Sequence, residues 1–397
     1  MRILSISAQK PSSTGSGVYL TELVKTLAAQ GHEQAVVAGV YEDDVVEFPE
    51  GVGFYPVYFQ TEQLPYPIVG MSDEMPYTST RYCDMTPEMV EQFRNAFLKV
   101  LEPLVREFQP DVILSHHLYL LTAIVRDTFP ECKVYGFCHN TDLRQMIKTD
   151  LEREFIAEAV RKLDKIFVPQ TAQQKGVRKV YDVNPEMIEM LGMGYNSQVF
   201  RVTGEKIQDG CTRIIFAGKI AEKKGVMSLI RSLEYLKADP KKVQIYLAGS
   251  AGNEIEYQEI HRMAGKSKYE IQFLGRLNQE QLAEYYNKCD IFVLPSFFEG
   301  IPLTVIEALA CGDRVVLTSL PGIPEWLTEN VTGADIRYVD LPTMINADEP
   351  LEEELPDFEK RLAKALDESI RCPQNGQADT SRISWDNIAR NVIGVQG

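Results

Sequence analysis

The strongest constraint on this chain is a series of apolar strands, small-residue loops and amphipathic helices that runs through the first half and then begins afresh. Strand Ile3 to Ile6 leads through Pro11-Ser-Ser-Thr-Gly15-Ser16-Gly17 to a helix over Val18 to Gln30, closed by Gly31, and then to strand Gln34 to Val40. Val18, Leu20, Leu23, Val24 and Leu27 recur at helical spacing and give that helix one buried stripe. Thr86-Pro-Glu opens a second helix, with Val90, Phe93, Phe97, Leu101, Leu104 and Phe108 on one face. Strands follow at Val112 to Ser115, Lys133 to Phe137 and Lys165 to Val168. The second series has strand Arg213 to Phe216, helix Val226 to Leu236, and strands Gln244 to Leu247, Ile271 to Leu274, Ile291 to Leu294 and Arg314 to Thr318. Continuous apolar strands alternating with helices predict parallel sheets covered on both faces.

The expected organisation is α/β: two Rossmann-like, doubly wound domains facing across a cleft, with ligands at the C-terminal strand ends. The first domain covers residues 1–200 and the second 201–378. A terminal amphipathic helix within 379–397, over Trp385 to Val395, crosses back toward the first domain. One segment breaks the pattern. Tyr41 to Asp84 is rich in Tyr, Pro and Gly and has no clear period, so it reads as an inserted hairpin or functional loop over about 41–84.

Composition excludes several classes. With 397 residues, 44% apolar and 25% charged, the chain is that of an ordinary soluble protein. No apolar run reaches the ~18 residues of a membrane span. Met1-Arg-Ile-Leu-Ser-Ile-Ser reads as a first core strand rather than a leader. Seven cysteines without a CxxC fit free thiols in a reducing compartment, so a cytoplasmic location is expected. No His/Cys cluster has zinc spacing, and no metal is expected. A net charge of −16 argues against a nucleic-acid partner. The acidic stretch Asp348 to Glu354 reads as solvated surface.

Four loops carry candidate chemistry, each at the C-terminal end of a strand. The most informative is Glu299-Gly300-Ile301-Pro302-Leu303-Thr304-Val-Ile-Glu307, which follows Ile291 to Leu294. Pro302 is expected at the first position of a helix that ends at Gly312. Eight residues of helix span ~12 Å, too far for a tight catalytic carboxylate pair but suited to the two ends of one elongated ligand. A solvated loop Glu with a half-buried helix Glu fits the segment equally. Gly218-Lys219…Lys223-Lys224-Gly225 holds two cations around a strand-to-helix loop, apt for a pyrophosphate or simply exposed. Gly15-Ser16-Gly17 fits either a plain turn or a backbone contact to phosphate. His139 follows Lys133 to Phe137 and could donate to a ligand hydroxyl or move a proton. His116 and His117 end the preceding strand, and neither is favoured.

Taken together, these residues resemble the retaining glycosyltransferases of the GT-B fold, in particular glycosyltransferase family 4 (glycosyl transferases group 1). The match runs through Gly15-Ser16-Gly17, Gly31-His32, His139, Met193-Gly-Tyr-Asn-Ser-Gln-Val-Phe200, Gly218-Lys219…Lys224-Gly225, Phe273-Leu274-Gly275, Glu299…Glu307, Gly322-Ile-Pro-Glu325 and Ser384-Trp385. The resemblance implies a metal-independent transfer of a sugar from a nucleotide-activated donor, UDP-sugar favoured, to an acceptor hydroxyl of a glycan, protein or small molecule. The nucleotide-sugar is a co-substrate and no cofactor is implied. Glu299 would hold sugar hydroxyls, with amides over Gly300, Ile301, Pro302, Leu303 and Thr304 near sugar or phosphate. Glu307 would hold the ribose, Lys219 and Lys224 the diphosphate, Leu274 and Arg276 the base. Gly17 would add backbone donors, and His139 would orient the reacting centre. The departing phosphate would help deprotonate the acceptor. Peripheral membrane contact is left open and no oligomeric state is assigned.

The chain departs from the family pattern in two places. Lys219 stands where Arg is usual, which keeps charge and loses bidentate geometry. Asn196 stands where Asp is common. Tyr55, Tyr58, Tyr66, Tyr77 and Tyr82 in the 41–84 stretch are candidates for stacking on a sugar. A catalytically silent sugar-binding or partner subunit, or a nucleotide-sugar epimerase, are the competing readings.

Overall fold

The computed structural model describes residues 1–394 apart from 73–74, 140, 205, 252, 300, 346–348 and 373–376. The chain divides into two units, Met1–Met193 with the residues from Ile388 on, and Gly194–Asn387. The division falls between Met193 and Gly194 rather than between 200 and 201. Gly194 is where the second unit's packing begins: a Cβ there would meet the Trp385 ring at 2.4 Å.

Unit 1 contains, in order, β1 (Arg2–Ser7), α1 (Gly15–Ala29), β2 (Glu33–Val40), β3 (Gly53–Tyr58), β4 (Val69–Gly70), β5 (Thr80–Arg81), α2 (Pro87–Phe108), β6 (Val112–His116), α3 (Leu120–Thr128), β7 (Val134–Phe137), α4 (Thr141–Lys148), α5 (Arg153–Val160), β8 (Lys165–Val168), α6 (Thr171–Tyr181) and β9 (Ile188–Met190). Its seven-stranded sheet has the order β3-β2-β1-β6-β7-β8-β9 and is parallel throughout. Fully buried strand residues such as Ile3, Leu4, Ile113 and Ile166 explain the continuous apolar runs, because both faces of the sheet are covered. α2 starts where Thr86 Oγ1 accepts the Met89 N–H.

The stretch over 41–84 is not an inserted hairpin. Gly53–Tyr58 extends the main sheet parallel to β2, and β4 pairs with β5 in a two-residue parallel ladder. The edge position explains why no period is visible: β3 alternates irregularly and leaves Tyr55 and Tyr58 40% and 44% exposed. Tyr66 and Tyr82 are instead buried in the unit core.

Unit 2 contains β10 (Thr212–Ala217), α7 (Val226–Ser232), β11 (Val243–Ala248), α8 (Glu254–Ala264), β12 (Glu270–Gly275), α9 (Gln279–Lys288), β13 (Ile291–Leu294), α10 (Leu303–Ala310), β14 (Arg314–Thr318), α11 (Ile323–Asn330), β15 (Ile336–Val339), α12 (Leu355–Arg371) and α13 (Trp385–Val392). α13 begins in unit 2, and its residues from Ile388 belong to unit 1. The six-stranded sheet runs β12-β11-β10-β13-β14-β15, again all parallel. α12 packs on β14, β15 and α7. Of the acidic stretch, Glu352–Glu354 form a turn into α12 with Glu352 and Glu353 exposed, and Asp348 lies outside the described residues. Val395, the expected end of the terminal helix, also lies outside them. Among the described residues no helix is long and apolar enough to cross a membrane.

Candidate functional site

In unit 2 the sheet order sets β10 beside β13, so the loops leaving these strands emerge together where the order reverses. One loop carries Gly218, Lys219 and Lys224; the other carries Ser296 and Glu299. Gly225 lets them meet. Its φ is +70° and a Cβ there would lie 2.0 Å from the Pro295 carbonyl oxygen. Lys224 Nζ contacts Glu299 Oε1 at 2.8 Å, and Ser296 Oγ donates to the same oxygen at 2.7 Å. Lys224 was expected to face a diphosphate and Glu299 a sugar; in the structure the two bind each other. Glu299 Oε2 makes no bond to a described residue, so it remains free to accept from an incoming hydroxyl.

Lys219 is exposed and makes no bond to a described residue. It lines two adjoining cavities. One, about 330 Å³, is shared with Gly218, Gly249, Ser250, Arg276, Leu277 and Thr304. The other, about 760 Å³, is shared with Lys223, Lys224 and Glu256. The smaller cavity has a floor of close backbone. Gly249 donates to the Gly275 carbonyl at 2.8 Å, and a Cβ at Gly249 would sit 1.7 Å from the Gly218 oxygen. Arg276 lines this cavity as expected. Leu274 does not: it packs on the core, and Leu277 and Leu282 provide the apolar wall.

Pro302 is the cap residue before α10 rather than its first helical residue. Glu299 therefore lies in the loop, and the ~12 Å separation expected of continuous helix does not apply. The N–H groups of Leu303 and Thr304 have no acceptor among the described residues, as the first turn of a helix leaves them. Ile301 is half-buried and Pro302 buried, while Gly300 lies outside the described residues. Glu307, in the second turn of α10, is half-buried with no bonded partner among the described residues. Burial pushes its carboxyl up to about 7.

Unit 1 repeats the arrangement with different chemistry. β1 lies beside β6, and their loops join through Ser16 Oγ and His117 Nε2 at 2.9 Å. Gly17 must be glycine, since a Cβ would meet the Lys10 carbonyl oxygen at 2.5 Å. Its N–H is not available to a ligand, however, because it donates to Thr14 Oγ1 at 3.1 Å. The free first-turn donors are the N–H groups of Gly15 and Ser16, which have no acceptor among the described residues.

His139 lines a cavity of about 170 Å³ with Gly15, Ser16, Tyr19, Phe137, Leu191 and Met193. It stacks on His116 at a 14° interplanar angle, and His116 stacks on Phe137 at 6°. His116 Nδ1 and His139 Nε2 are 3.1 Å apart, and His116 Nε2 is buried without a partner. A stranded bare nitrogen costs less than a stranded N–H, so His116 donates through Nδ1 and His139 carries its own proton on Nδ1. Burial, with His117 nearby, holds His139 down to about 3 despite Asp142. Both rings are neutral across the physiological range, and His139 offers an N–H donor.

Asp142 and Ser296 carry roles that the sequence reading missed. Asp142 accepts from the His139 N–H at 2.7 Å and contacts His117 Nδ1 at 2.5 Å. Its signal was an Asp at the start of a helix, three residues after a strand-end His. Ser296 had none beyond its place before Glu299.

Comparison with known proteins agrees with both units. The Glycosyltransferase Family 4 model matches residues 13–198 and the Glycosyl transferases group 1 model residues 211–347. The chain is 23% identical over 261 residues to alpha-maltose-1-phosphate synthase of Mycobacterium tuberculosis, covering 60% of this chain and 64% of the relative. It spans 45% to 64% of the length of the first curated relatives it matches. A glycosyltransferase from Rickettsia africae superposes with a TM-score of 0.64 at 14% identity, over 99% of this chain and 97% of that one. Anabaena Alr3699/HepE, solved in complex with UDP, gives 0.59 at 14% identity, over 99% of each chain. The two parallel-sheet units are those of the GT-B fold.

Proposed function

We propose that this chain, which belongs to the glycosyl transferases group 1 and glycosyltransferase family 4, is a retaining, metal-independent glycosyltransferase that uses a UDP-sugar. The observation that carries the reading is Lys219, without a bonded partner among the described residues, at the β10 strand end beside the Lys224–Glu299 pair. In an acidic chain, this gathers cations at the place where α/β sheets bind ligands. The UDP and UDP-glucose complexes of Alr3699/HepE favour uracil as the base.

In this reading the base enters the cavity lined by Arg276 and Leu277, and Glu307 accepts from the ribose. Lys219 holds the diphosphate. An arriving phosphate competes with Glu299 for Lys224, and Glu299 Oε2 accepts from a sugar hydroxyl. As the anomeric C–O bond breaks, negative charge grows on the departing phosphate, where the two lysines stabilise it most. The acceptor oxygen bonds the anomeric carbon from the same face and its proton passes to the departing phosphate. His139 donates to a hydroxyl and takes no proton. The N-terminal unit serves the acceptor.

The test is a donor screen on the purified chain. UDP-sugars should raise the melting temperature through linkage and release UDP when acceptor is added, with no change on adding EDTA. No thermal shift with UDP-, GDP- or ADP-sugars overturns donor binding. Loss of rate with EDTA overturns metal independence.

A further inference from the structure

Ser16, His117 and Asp142 form a continuous hydrogen-bonded line across the C-terminal ends of three strands of unit 1. Ser16 Oγ lies 2.9 Å from His117 Nε2, and His117 Nδ1 lies 2.5 Å from Asp142 Oδ1. The second Asp142 oxygen accepts from the His139 backbone N–H at 2.7 Å. Asp142 is fully buried. Burial alone would raise its carboxyl, but His117 and the His139 N–H outweigh that and hold it below the usual carboxylate range. An ionised carboxylate only accepts, so His117 carries a proton on Nδ1, and in its neutral form it presents a bare Nε2 to the serine hydroxyl. Thr14 Oγ1 lies 3.0 Å from Ser16 Oγ, and Gln9 Oε1 at 3.5 Å is too far to compete for the proton.

Two further features suit this line to nucleophilic chemistry. His117 sits at φ +73°, a left-handed conformation that costs a side-chain-bearing residue about 1–3 kcal/mol. Its carbonyl is fixed there by the Tyr119 N–H at 2.9 Å and by the Thr122 hydroxyl. Ser16 is half-buried in the first turn of α1, where its own N–H and that of Gly15 have no acceptor among the described residues and point toward the helix start. A nucleophile whose own backbone N–H faces a developing oxyanion is one of the working elements of serine hydrolysis. The cavity of about 170 Å³ that Ser16 lines has mostly apolar walls, among them Tyr19, Phe137 and Leu191.

We propose that Ser16 is an activated nucleophile toward esters of short acyl groups, a hydrolytic activity separate from sugar transfer. Ser16 Oγ bonds the ester carbonyl carbon as its proton passes to His117 Nε2. The ester C–O bond breaks and His117 returns that proton to the departing alkoxide. Water, deprotonated by His117, then bonds the acyl carbon, the bond from that carbon to Ser16 Oγ breaks, and His117 returns the proton to Ser16 Oγ as the carboxylic acid leaves. Asp142 is a positioning residue: it fixes the tautomer and pairs with the imidazolium that forms.

The full chain treated with a fluorophosphonate at pH 8 should gain one phosphonyl group, mapped to the Ser16 peptide. It should also release a burst of p-nitrophenolate from p-nitrophenyl acetate, about one per chain. Ser16→Ala should remove both signals, and His117→Ala should slow labelling at least 100-fold. No adduct, an adduct elsewhere, or equal labelling of the urea-unfolded chain overturns the proposal. Should His117→Ala fail to melt cooperatively, Ser16→Cys supplies the second measurement. Its thiol, paired with His117, should alkylate with iodoacetamide at pH 7 at least tenfold faster than the exposed Cys83 in the same chain. Equal rates show that His117 activates nothing.

Discussion

The two strand-order reversals share one geometry and hold opposite chemistry. At β1/β6 the loops join through a serine and an imidazole, backed by buried aromatic rings around a small cavity. At β10/β13 they join through an ammonium and a carboxylate beside a much larger, lysine-lined space. The same topology therefore delivers two loops to one point in each unit, and side-chain choice alone decides what that point can hold. Unlike the unit 1 cavity, with its neutral donors, the unit 2 cavity keeps cations where an anion needs them, in a chain whose net charge is −16.

The largest expected break in this comparison is Glu299→Ala. It removes the proposed acceptor for a sugar hydroxyl and the carboxylate partner of Lys224, so kcat/KM for transfer should fall at least 10³-fold, about 4 kcal/mol of transition-state stabilisation. The fold should persist, since Glu299 lies in a loop. UDP release measured with acceptor present reads the effect, and wild-type rates in the variant would remove Glu299 from the site.

Next comes His139. His139→Ala should cost about 10²-fold in kcat/KM, as loss of an oriented donor does. His139→Asn, whose amide N–H sits near the position of Nδ1, should recover part of it. Because burial holds this His to about 3, its share of the rate should be flat from pH 5 to 8. A wild-type break near pH 6.5 that disappears in His139→Asn would mean that His139 moves a proton after all.

Why the sequence revealed one reversal better than the other follows from the type of interaction. Strands Ile291–Leu294 and Arg314–Thr318 are found within their expected bounds because buried parallel strands are unbroken apolar runs. Charged residues next to such runs are conspicuous, and Lys219, Lys224, Glu299 and Thr304 all gather in unit 2. The edge strands β3, β9 and β15 escaped notice because they are short or half-exposed and lose that signature, whereas the edge strand β12 kept a mostly apolar run over Ile271 to Leu274. The Ser16–His117 link joins residues 101 positions apart. Nothing local marks it: His117 depends on a left-handed backbone, and Asp142 on a helix start. Gly17 was misassigned for a related reason, since a glycine predicts close approach but not which N–H stays free.

Glu307 sharpens the charged side of the comparison. Its carboxyl titrates near 7, and only the carboxylate accepts from both ribose hydroxyls. UDP affinity should weaken about tenfold between pH 8 and pH 6, and Glu307→Gln should flatten that dependence. The folded value lies above the unfolded one. Its stabilising contribution is therefore full below about 4.5 and is lost as pH rises through about 7. Without ligand, Glu307→Gln should match wild type at pH 5 and melt a few degrees higher at pH 8. Calorimetry at the two pH values checks the sign.

The smallest effect concerns Lys219, where the family pattern has Arg. An ammonium is a compact charge that meets a phosphate oxygen singly, whereas a guanidinium offers two parallel N–H donors. Lys219 is exposed and bound to no described residue, so Lys219→Arg requires no repacking. Donor KM should fall two- to fivefold with kcat little changed, because the added hydrogen bond serves ground state and transition state alike. Should kcat rise instead, Lys219 meets the charge that appears only as the sugar departs. An unchanged KM would leave Lys224 as the principal phosphate cation and make its exchange with Glu299 the decisive step in donor binding.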